Sequence, residues 1–515
     1  MKPIRLDGRS LTRDQLVEIA YGASVGLDPE ALKAVARAAD FLADQVRREE
    51  PIYGVSTGFG SNADKLLGAH PLRDELPGAA PSGRSLHEEL QRNLIITHAV
   101  NVGDPMAPDV VRAMLGIRIN TLLRGHSGIR VRTLESLAAL LNAGVVPVVP
   151  ELGSVGASGD LSPLSHLAIV LLGGGEAFFQ GERMSGSQAL ARAGLTPVSL
   201  SYKEGLALNN GTAQMLAMGV LALHRLDALL DTVDLAAAMT IDAFAGRLAA
   251  FAEEVHALRP HPGQVHVAAR LLELLAGSTL ADIPYHLVPK FRQWLPQSWD
   301  TPQAQALSFD IGWDWVPSGQ RHGREKFYRR FKPFRGGKKH QPQDSYSLRC
   351  APQVHGAVRD AVAQAKRVME IELNSVTDNP LVFPDKRDAA HVEEQVVSAG
   401  HFHGMPLALA MSHVKAAIPV LASISERRLN KLLDPATNDG LPAFLIGNED
   451  GTESGHMIVQ YTAAAIVGDL ASRAHPAAVF SIPTSRKGRM VPLPIDTCSS
   501  PATCRKSSCM PPSGM

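Results

Sequence analysis

The chain has 515 residues, of which 45% are hydrophobic and 20% charged, and 51 Lys and Arg balance 51 Asp and Glu. This composition is typical of a globular protein with a large core, and a formal net charge of zero argues against nucleic acid or another polyanion as the partner. The four cysteines form no CxxC pair, so neither a disulfide framework nor a metal site is expected.

The first residues, "MKPIRLDGRSLTRDQL", lack the apolar core of a secretory signal. No uninterrupted apolar run reaches the ~20 residues of a membrane span. We therefore expect a cytoplasmic protein that does not contact a membrane.

Segments with apolar residues three and four apart recur along the chain and predict helices. They are rich in Ala, Leu and Arg, whereas alternating strand patterns are few and short. The fold class is therefore predicted to be mainly α, built from long helices. The predicted helices span residues 27–48, 86–100, 109–123, 133–143, 161–172, 223–255, 353–373, 404–432 and 455–472.

One glycine-rich stretch, "GSVGASGDLSPLSHLA" at residues 153–168, lies between two of these helices. The preceding helix is expected to close at Gly144, the prolines of "VVPVVP" to keep the chain extended, and Asp160 to cap the next helix. A phosphate loop, a nucleophile elbow and a dinucleotide fingerprint each fail on a missing residue or on spacing. Residues 157–159 therefore lie at a helix N-terminus, where developing negative charge is favoured.

The triplet Ala157-Ser158-Gly159 has the composition needed to form an electrophile from the chain itself. The Gly159 nitrogen would attack the Ala157 carbonyl carbon and close a five-membered ring, and the carbonyl oxygen would leave as a first water molecule. Loss of the Ser158 hydroxyl as water would then leave an exocyclic methylidene group. Glycine allows the close backbone approach because it has no Cβ. The triplet alone would also suit an ordinary turn.

The flanks of the triplet resemble the signature of the aromatic amino-acid ammonia-lyase family, and the resemblance extends from "PIYGVSTGFG" at residue 51 to "SIPTS" at residue 481. It implies a long-helix bundle like that of fumarase and aspartase, with a loop-rich N-terminal part. It also implies the prosthetic group 4-methylideneimidazole-5-one (MIO), made from residues 157–159, with no external cofactor and no metal. An amino-acid substrate and a homotetramer with shared active sites are further implications.

Three other motifs take roles from the same resemblance. Tyr53 in "YGVSTGFG" matches the catalytic tyrosine of an inner loop that moves as a lid. Asn210 in "LALNNGT" matches a substrate-contacting asparagine beside the prosthetic group. Phe402 in "GHFHGMP" matches an aromatic position near the electrophile. Each residue alone would be an ordinary core or turn residue, so the assignment depends on their joint occurrence.

The segment "QPQDSYSLRC" resembles the part of the family that carries the general base. Tyr346 takes that role, Arg349 holds the substrate carboxylate through two hydrogen bonds, and Gln343 contacts the substrate. A β-proton of an amino acid is too weakly acidic for a tyrosine at neutral pH. The electrophile must therefore first add to the amine or the ring of the substrate.

The substrate is indicated by Thr97-His98-Ala99, which looks like the Ser-His pattern of the histidine-specific branch. His98 would bind the polar ring, so the predicted reaction is elimination of ammonia from L-histidine to give trans-urocanate. Two alternatives stay open: a phenylalanine or tyrosine ammonia-lyase or aminomutase, and a non-catalytic homologue that binds a partner through an incomplete site.

Two stretches depart from the family pattern. Residues 284–340 hold all four tryptophans and a basic, aromatic segment, which we interpret as a surface insertion. After Ser485 the family continues "ANQEDHVS", but this chain continues Arg486, Lys487, Gly488 and a Pro-, Ser- and Cys-rich tail of disordered composition. We interpret the change as a shift of reading frame or an aberrant end. Because no residue replaces the acidic one expected to bind the substrate ring, a chain that ends in this tail is predicted to have weak or absent lyase activity.

The predicted organisation has three parts. Residues 1–200 form a domain that carries the triplet, residues 201–485 form a long-helix bundle with the insertion, and residues 486–515 form the atypical tail.

Overall fold

The computed structural model describes residues 3–48, 50–58, 85–155, 158–244, 246–278, 281, 343–386, 391–438, 441–447, 450–476 and 478. Within these ranges the fold is mainly α, as predicted. The insertion at 284–340, the tail after Ser485 and Ala157 of the triplet lie outside the described residues.

The helices of the described part range from one turn to eight turns in length. They are α1 Arg13–Ala20, α2 Pro29–Arg47, α3 Leu86–His98, α4 Pro108–Leu122, α5 Val131–Asn142, α6 Leu161–Leu171, α7 Gly186–Arg192, α8 Glu204–Asn209, α9 Ala213–Ala243, α10 Glu253–Ala257, α11 Pro262–Leu274, α12 Tyr346–Arg349, α13 Ala351–Leu373, α14 Met405–Leu433 and α15 Met457–Arg473.

Local sequence explains several helix starts. Thr12 and Ser85 form capping boxes, with Gln15 and Glu88, at the starts of α1 and α3. The Asp28 side chain accepts from two amides in the first turn of α2. These polar caps occupy backbone amides that a helix leaves unpaired, so they fix where each helix begins.

One predicted helix, 223–255, is corrected by the structure. The helix begins earlier, at Ala213, and ends at Ala243, after which a short 3₁₀ helix and α10 follow. The Gly246 N–H donates to the Ile241 carbonyl at 2.7 Å, a bond that closes a helix rather than extending it. The apolar spacing continues past this point, which is why it predicted a single longer helix.

The strands of the described part are short and form small sheets. β1 (Ile4–Leu6) pairs parallel with β2 (Val25–Leu27), and the other pairings are antiparallel. The antiparallel sheets are β3 (Val102–Pro105) with β5 (Pro150–Leu152), then β4 (Val146–Pro147) with β6 (Glu176–Phe179) and β7 (Glu182–Ser185), and β8 (Leu381–Val382) with β9 (Val396–Val397).

The first compact unit comprises the described residues of 1–224, 365–411 and 477–515. Its centre is α4, which is buried from Val110 to Leu122 except at Arg112 and packs against α1 and α5. A second group, α3, α6 and α8, packs together in the same unit. His98 is the last residue of α3, the triplet precedes α6, and Asn210 follows α8.

The second compact unit comprises the described residues of 225–364 and 412–476. Its core joins the C-terminal half of α9 to α11 and to Leu348 of α12. Three of the four limits between the units fall inside long helices, α9, α13 and α14, and the fourth lies after α15. This division differs from the predicted boundaries at residues 200 and 485, which remain predictions of the sequence.

Two helical segments, Glu204–Ala243 and Met405–Leu433, are long and apolar enough to cross a membrane by length and composition alone. Both segments contain charged residues, so neither is an uninterrupted apolar run of ~20 residues. The core helices of proteins without membrane spans meet the same test. The most apolar window is 61% buried in the first segment and 28% buried in the second.

Candidate active site

The triplet segment joins β5 to α6 in the first compact unit. Its entry is fixed by Gly153, whose φ is +155° and where a Cβ would overlap the Asn101 side chain. Glycine is therefore required at this position for steric reasons. Beyond the undescribed residues 156 and 157, Ser158 and Gly159 lead into Asp160 at the start of α6.

Ser158 and Asn210 are brought into direct contact. The Ser158 hydroxyl, on a side chain only 8% exposed, donates to Asn210 Oδ1 at 2.7 Å. Asn210 is itself 5% exposed and follows the last residue of α8. A buried serine hydroxyl held in one orientation suits a hydroxyl that must leave as water, so these residues fit formation of the prosthetic group.

Asp160 lies at the cap position of α6, as predicted, but its side chain does not cap that helix. Its Oδ2 accepts instead from the backbone amides of Gln214 at 2.8 Å and Met215 at 3.1 Å, in the first turn of α9. Burial raises the pKa of Asp160 to about 7, even though these hydrogen bonds favour its ionised form. The residue therefore connects the triplet segment to α9.

A second link connects Asn210 to the segment that carries Phe402. Asn210 Nδ2 donates to the Asn379 carbonyl at 3.3 Å, and Asn379 Oδ1 accepts from the Ala399 amide at 2.7 Å. Phe402 follows three residues after Ala399 and is partly buried. Asn379 thus holds the two predicted site segments to each other.

A fully buried ion pair adjoins the start of α8. Lys203 Nζ contacts Asp378 Oδ2 at 2.7 Å, and both side chains are 0% exposed. Arg118, also buried, donates to the Ala207 and Thr377 carbonyls. Burial lowers the pKa of Lys203 against the opposing attraction of Asp378. These contacts fix α8, which directly precedes Asn210. They also fix the residues before Asn379, whose carbonyl accepts a hydrogen bond from Asn210.

His98 is the last residue of α3, and its ring is oriented by a local bond. Nδ1 lies 2.8 Å from the Leu94 carbonyl oxygen, which can only accept, so Nδ1 carries the proton. In the tautomer that carries its proton on Nδ1, Nε2 is the hydrogen-bond acceptor. The following residues are tied to α6, because the Val100 amide donates to Ser162 Oγ and the Asn101 amide to His166 Nε2.

Tyr53 lies in a tight turn in the first unit and is half-buried. The Ile52 amide donates to Ser56 Oγ at 2.7 Å, and the Gly54 amide donates to Thr57 Oγ1 at 3.3 Å. Ile52 and Val55 are buried in a small apolar cluster with residues of α2, β8 and β9. The described part of the predicted lid is therefore an anchored turn.

Gln343, Tyr346 and Arg349 lie in the second compact unit. The Arg349 guanidinium carbon lies 4.6 Å from the centre of the Tyr346 ring, and Arg349 Nε donates to the Asp344 carbonyl at 3.0 Å. Tyr346 is 69% exposed and Gln343 is exposed, whereas Leu348 anchors α12 in the core. The predicted base and the carboxylate-binding arginine therefore adjoin each other.

Sequence reasoning missed the buried polar residues that support the site. Lys203, Asp378 and Asn379 form bonds across more than 160 residues of sequence. The sequence offers one local sign of this buried network. Two charged residues, Lys203 and Glu204, stand at the start of a helix that is otherwise apolar and has no exposed face. Among the described residues, no group of three or more His, Cys, Asp or Glu could hold a metal ion.

A family profile and known protein sequences match most of the chain. Residues 11–488 match the sequence profile described as aromatic amino acid lyase. The chain is 43% identical over 479 residues to the histidine ammonia-lyase of Symbiobacterium thermophilum, covering 93% of this chain and 79% of that enzyme. It is 44% identical over 481 residues to that of Gloeobacter violaceus, with the same coverage.

Solved structures of similar fold also match most of the chain. The phenylalanine aminomutase of Pantoea agglomerans superposes with a TM-score of 0.76 at 31% identity, covering 93% of this chain and 82% of that one. The histidine ammonia-lyase of Trypanosoma cruzi superposes with a TM-score of 0.71 at 34% identity, covering 94% and 77%. The chain therefore belongs to the aromatic amino acid lyase family.

Proposed function

We propose that this carbon–nitrogen lyase eliminates ammonia from L-histidine to give trans-urocanate, using an MIO group formed from Ala157, Ser158 and Gly159. The observation that carries the proposal is the buried hydrogen bond from the Ser158 hydroxyl to Asn210. It holds the hydroxyl that must leave as water after the ring has closed. The relatives named as histidine ammonia-lyases support the choice of substrate.

In this proposal the prosthetic group, once formed, supplies an electrophile for the amine or the ring of the substrate. Asn210 keeps its amide beside that position through its bond to Asn379. Burial of Ser158 and Asn210 excludes water, which strengthens every polar interaction there. Phe402 adds an aromatic side chain to the same region.

His98 binds the ring of the substrate through a hydrogen bond. Its Nε2 is an acceptor, because Nδ1 is occupied by the Leu94 carbonyl. An acceptor pairs with the N–H of an imidazole and finds no partner on a phenyl ring. A site built to accept a hydrogen bond discriminates strongly against a substrate that lacks the donor.

Tyr346 removes the β-proton and Arg349 binds the carboxylate, with Gln343 as a further contact and Tyr53 as the second catalytic tyrosine. The stacking of Arg349 on Tyr346 supports their acting on one substrate molecule. We propose that the chain acts as a cytoplasmic homotetramer whose active sites each use residues of more than one chain.

A second candidate function is aminomutase activity on phenylalanine or tyrosine. It is favoured by the structural likeness to aminomutases, with a TM-score of 0.76 for the phenylalanine enzyme. Product analysis separates the two, because a lyase releases an unsaturated acid that absorbs in the near ultraviolet, whereas an aminomutase yields a β-amino acid.

The mass of the peptide that contains Ser158 tests the proposal directly. We expect it to be lower by two water molecules than the sequence predicts, and Ser158→Ala to abolish both this loss and urocanate formation. An unshifted mass in folded protein would contradict the proposal and favour a non-catalytic homologue. Measuring mass and product separately distinguishes a chain that forms the electrophile but turns over weakly.

A further inference from the structure

Gln91 is a fully buried polar side chain of α3 that the proposed chemistry leaves unused. Its Nε2 donates to the Gly54 carbonyl oxygen at 3.2 Å, and its Oε1 accepts from the Gly205 amide at 2.9 Å. Gly54 adjoins Tyr53, and Gly205 lies in the first turn of α8. One side chain therefore bridges the tyrosine turn and α8.

The far end of this bridge leads to Ser158. α8 is a single short element, buried throughout, and the residue after it is Asn210. Asn210 accepts the hydrogen bond from the Ser158 hydroxyl. The approach of α3 to α8 is close, because a Cβ at Gly205 would lie 2.9 Å from Gln91 Oε1. The path from the tyrosine turn to Ser158 is thus short and tightly packed.

A neighbouring residue on α3 supports the same turn. His87, one helical turn before Gln91, places Nδ1 3.1 Å from the Val55 carbonyl oxygen, so it donates there. Its ring packs edge-on against Tyr202 at 5.1 Å between centroids. α3 therefore holds two consecutive carbonyls of the tyrosine turn, those of Gly54 and Val55.

We propose that Gln91 is a positioning residue that sets Tyr53 relative to the electrophile by tying its turn to the helix that carries Asn210. The inference rests on the proposed function. The Gln91 amide bonds directly to both segments. Loss of the bridge should displace Tyr53 without preventing cyclisation of the triplet, because the Ser158 to Asn210 contact does not include Gln91.

The test compares Gln91→Glu and Gln91→Met in the full chain. The first change keeps an acceptor for the Gly205 amide but places an oxygen against the Gly54 carbonyl, so it breaks one arm of the bridge. The second removes both arms. Gln264→Glu is the matched control, because Gln264 is 3% exposed and bonds to His256 of α10 and to the Arg259 carbonyl in the loop between α10 and α11.

Hydrogen exchange of the amides of residues 54–57 is the first readout. We expect it to accelerate on the order of tenfold in both Gln91 variants and to stay unchanged in Gln264→Glu. In Gln91→Glu the effect should shrink as the pH falls, because the introduced carboxyl gains a proton and can donate to Gly54 again. Unchanged exchange in the Gln91 variants would overturn the inference.

Kinetics and mass give the second readout. We expect kcat to fall on the order of tenfold to a hundredfold with little change in KM, because a small displacement of a catalytic group affects the chemical step. The loss of two waters at Ser158 should persist. A parent chain with neither mass loss nor product would contradict the proposed function, whereas an active parent whose kcat survives Gln91→Met would contradict this inference alone.

Discussion

At the scale of single residues, the proposed function depends on His98 Nε2 as the hydrogen-bond acceptor for the ring of the substrate. Replacing His98 with Leu removes the Nε2 acceptor while keeping an apolar side chain of similar reach. We expect kcat/KM for histidine to fall about tenfold to a hundredfold, the loss typical of an unpaired polar group, with a smaller change for phenylalanine.

The measurement is the ratio of kcat/KM for the two amino acids. His224→Leu is the matched control, because His224 is exposed on α9 and lies on no predicted site segment. A selectivity ratio that His98→Leu leaves unchanged would show that the ring of the substrate is read elsewhere.

A second prediction at this scale concerns Asp160 and the pH dependence of the free energy of unfolding. Its pKa in the folded chain is about 7, above the ordinary value of 3.8, so the folded state keeps a proton that the unfolded chain has lost. Stability from this group therefore decreases as the pH rises from about 4 to about 7, by up to about 4 kcal/mol.

Asp160→Asn tests this sign. The amide oxygen can still accept from the Gln214 and Met215 amides, but the side chain no longer titrates. Urea unfolding at pH 4.5 and 7.5 should show that the variant loses less stability than the parent over this interval. Equal losses would mean that Asp160 ionises in the folded chain as it does in the unfolded chain.

At the scale of elements, the position of α8 depends on the buried ion pair between Lys203, which directly precedes the helix, and the distant residue Asp378. Lys203→Met would leave Asp378 buried without its partner, and we expect a loss of about 3–5 kcal/mol in unfolding free energy. The double change with Asp378→Leu should recover much of this, because no lone charge remains. An exposed ion pair, Lys33 with Glu30, provides the control, and Lys33→Met should change stability by less than about 1 kcal/mol.

A urea-unfolding double-mutant cycle measures the coupling. A double variant as unstable as the sum of both single changes would show that the pair does not act as a unit. Because α8 lies between Gln91 and Asn210, the single variant should also retard cyclisation of Ser158, which the peptide mass reports.

The elements themselves were largely predictable, because helical spacing is a local property of the chain. Segment 223–255 failed where the spacing continued but the Gly246 amide turned back to Ile241. The partner of Asp160 was not predictable, since its bonds to Gln214 and Met215 depend on how α6 and α9 pack. The same holds for Lys203 and Asp378, which are 175 residues apart.

At the scale of the whole molecule, the chain leaves apolar surface uncovered. Only 28% of the most apolar window of α14 is buried, and Leu409 and Val420 on this helix are more than half exposed. On α15, Ile458 and Tyr461 are exposed to a similar degree. Apolar surface of this extent marks a contact with another chain or with a membrane.

The proposed homotetramer assigns that contact to other copies of the chain. We expect light scattering to give four times the chain mass of 55.0 kDa in buffer without detergent, and Ile458→Glu to shift the protein to smaller species. Arg132→Glu, at an exposed position of α5, is the control and should leave the mass unchanged. Recovery of the parent chain in the membrane fraction, or as a monomer at micromolar concentration, would contradict the assignment. Because each site is proposed to use more than one chain, dissociation by Ile458→Glu should reduce activity while the mass loss at Ser158 persists.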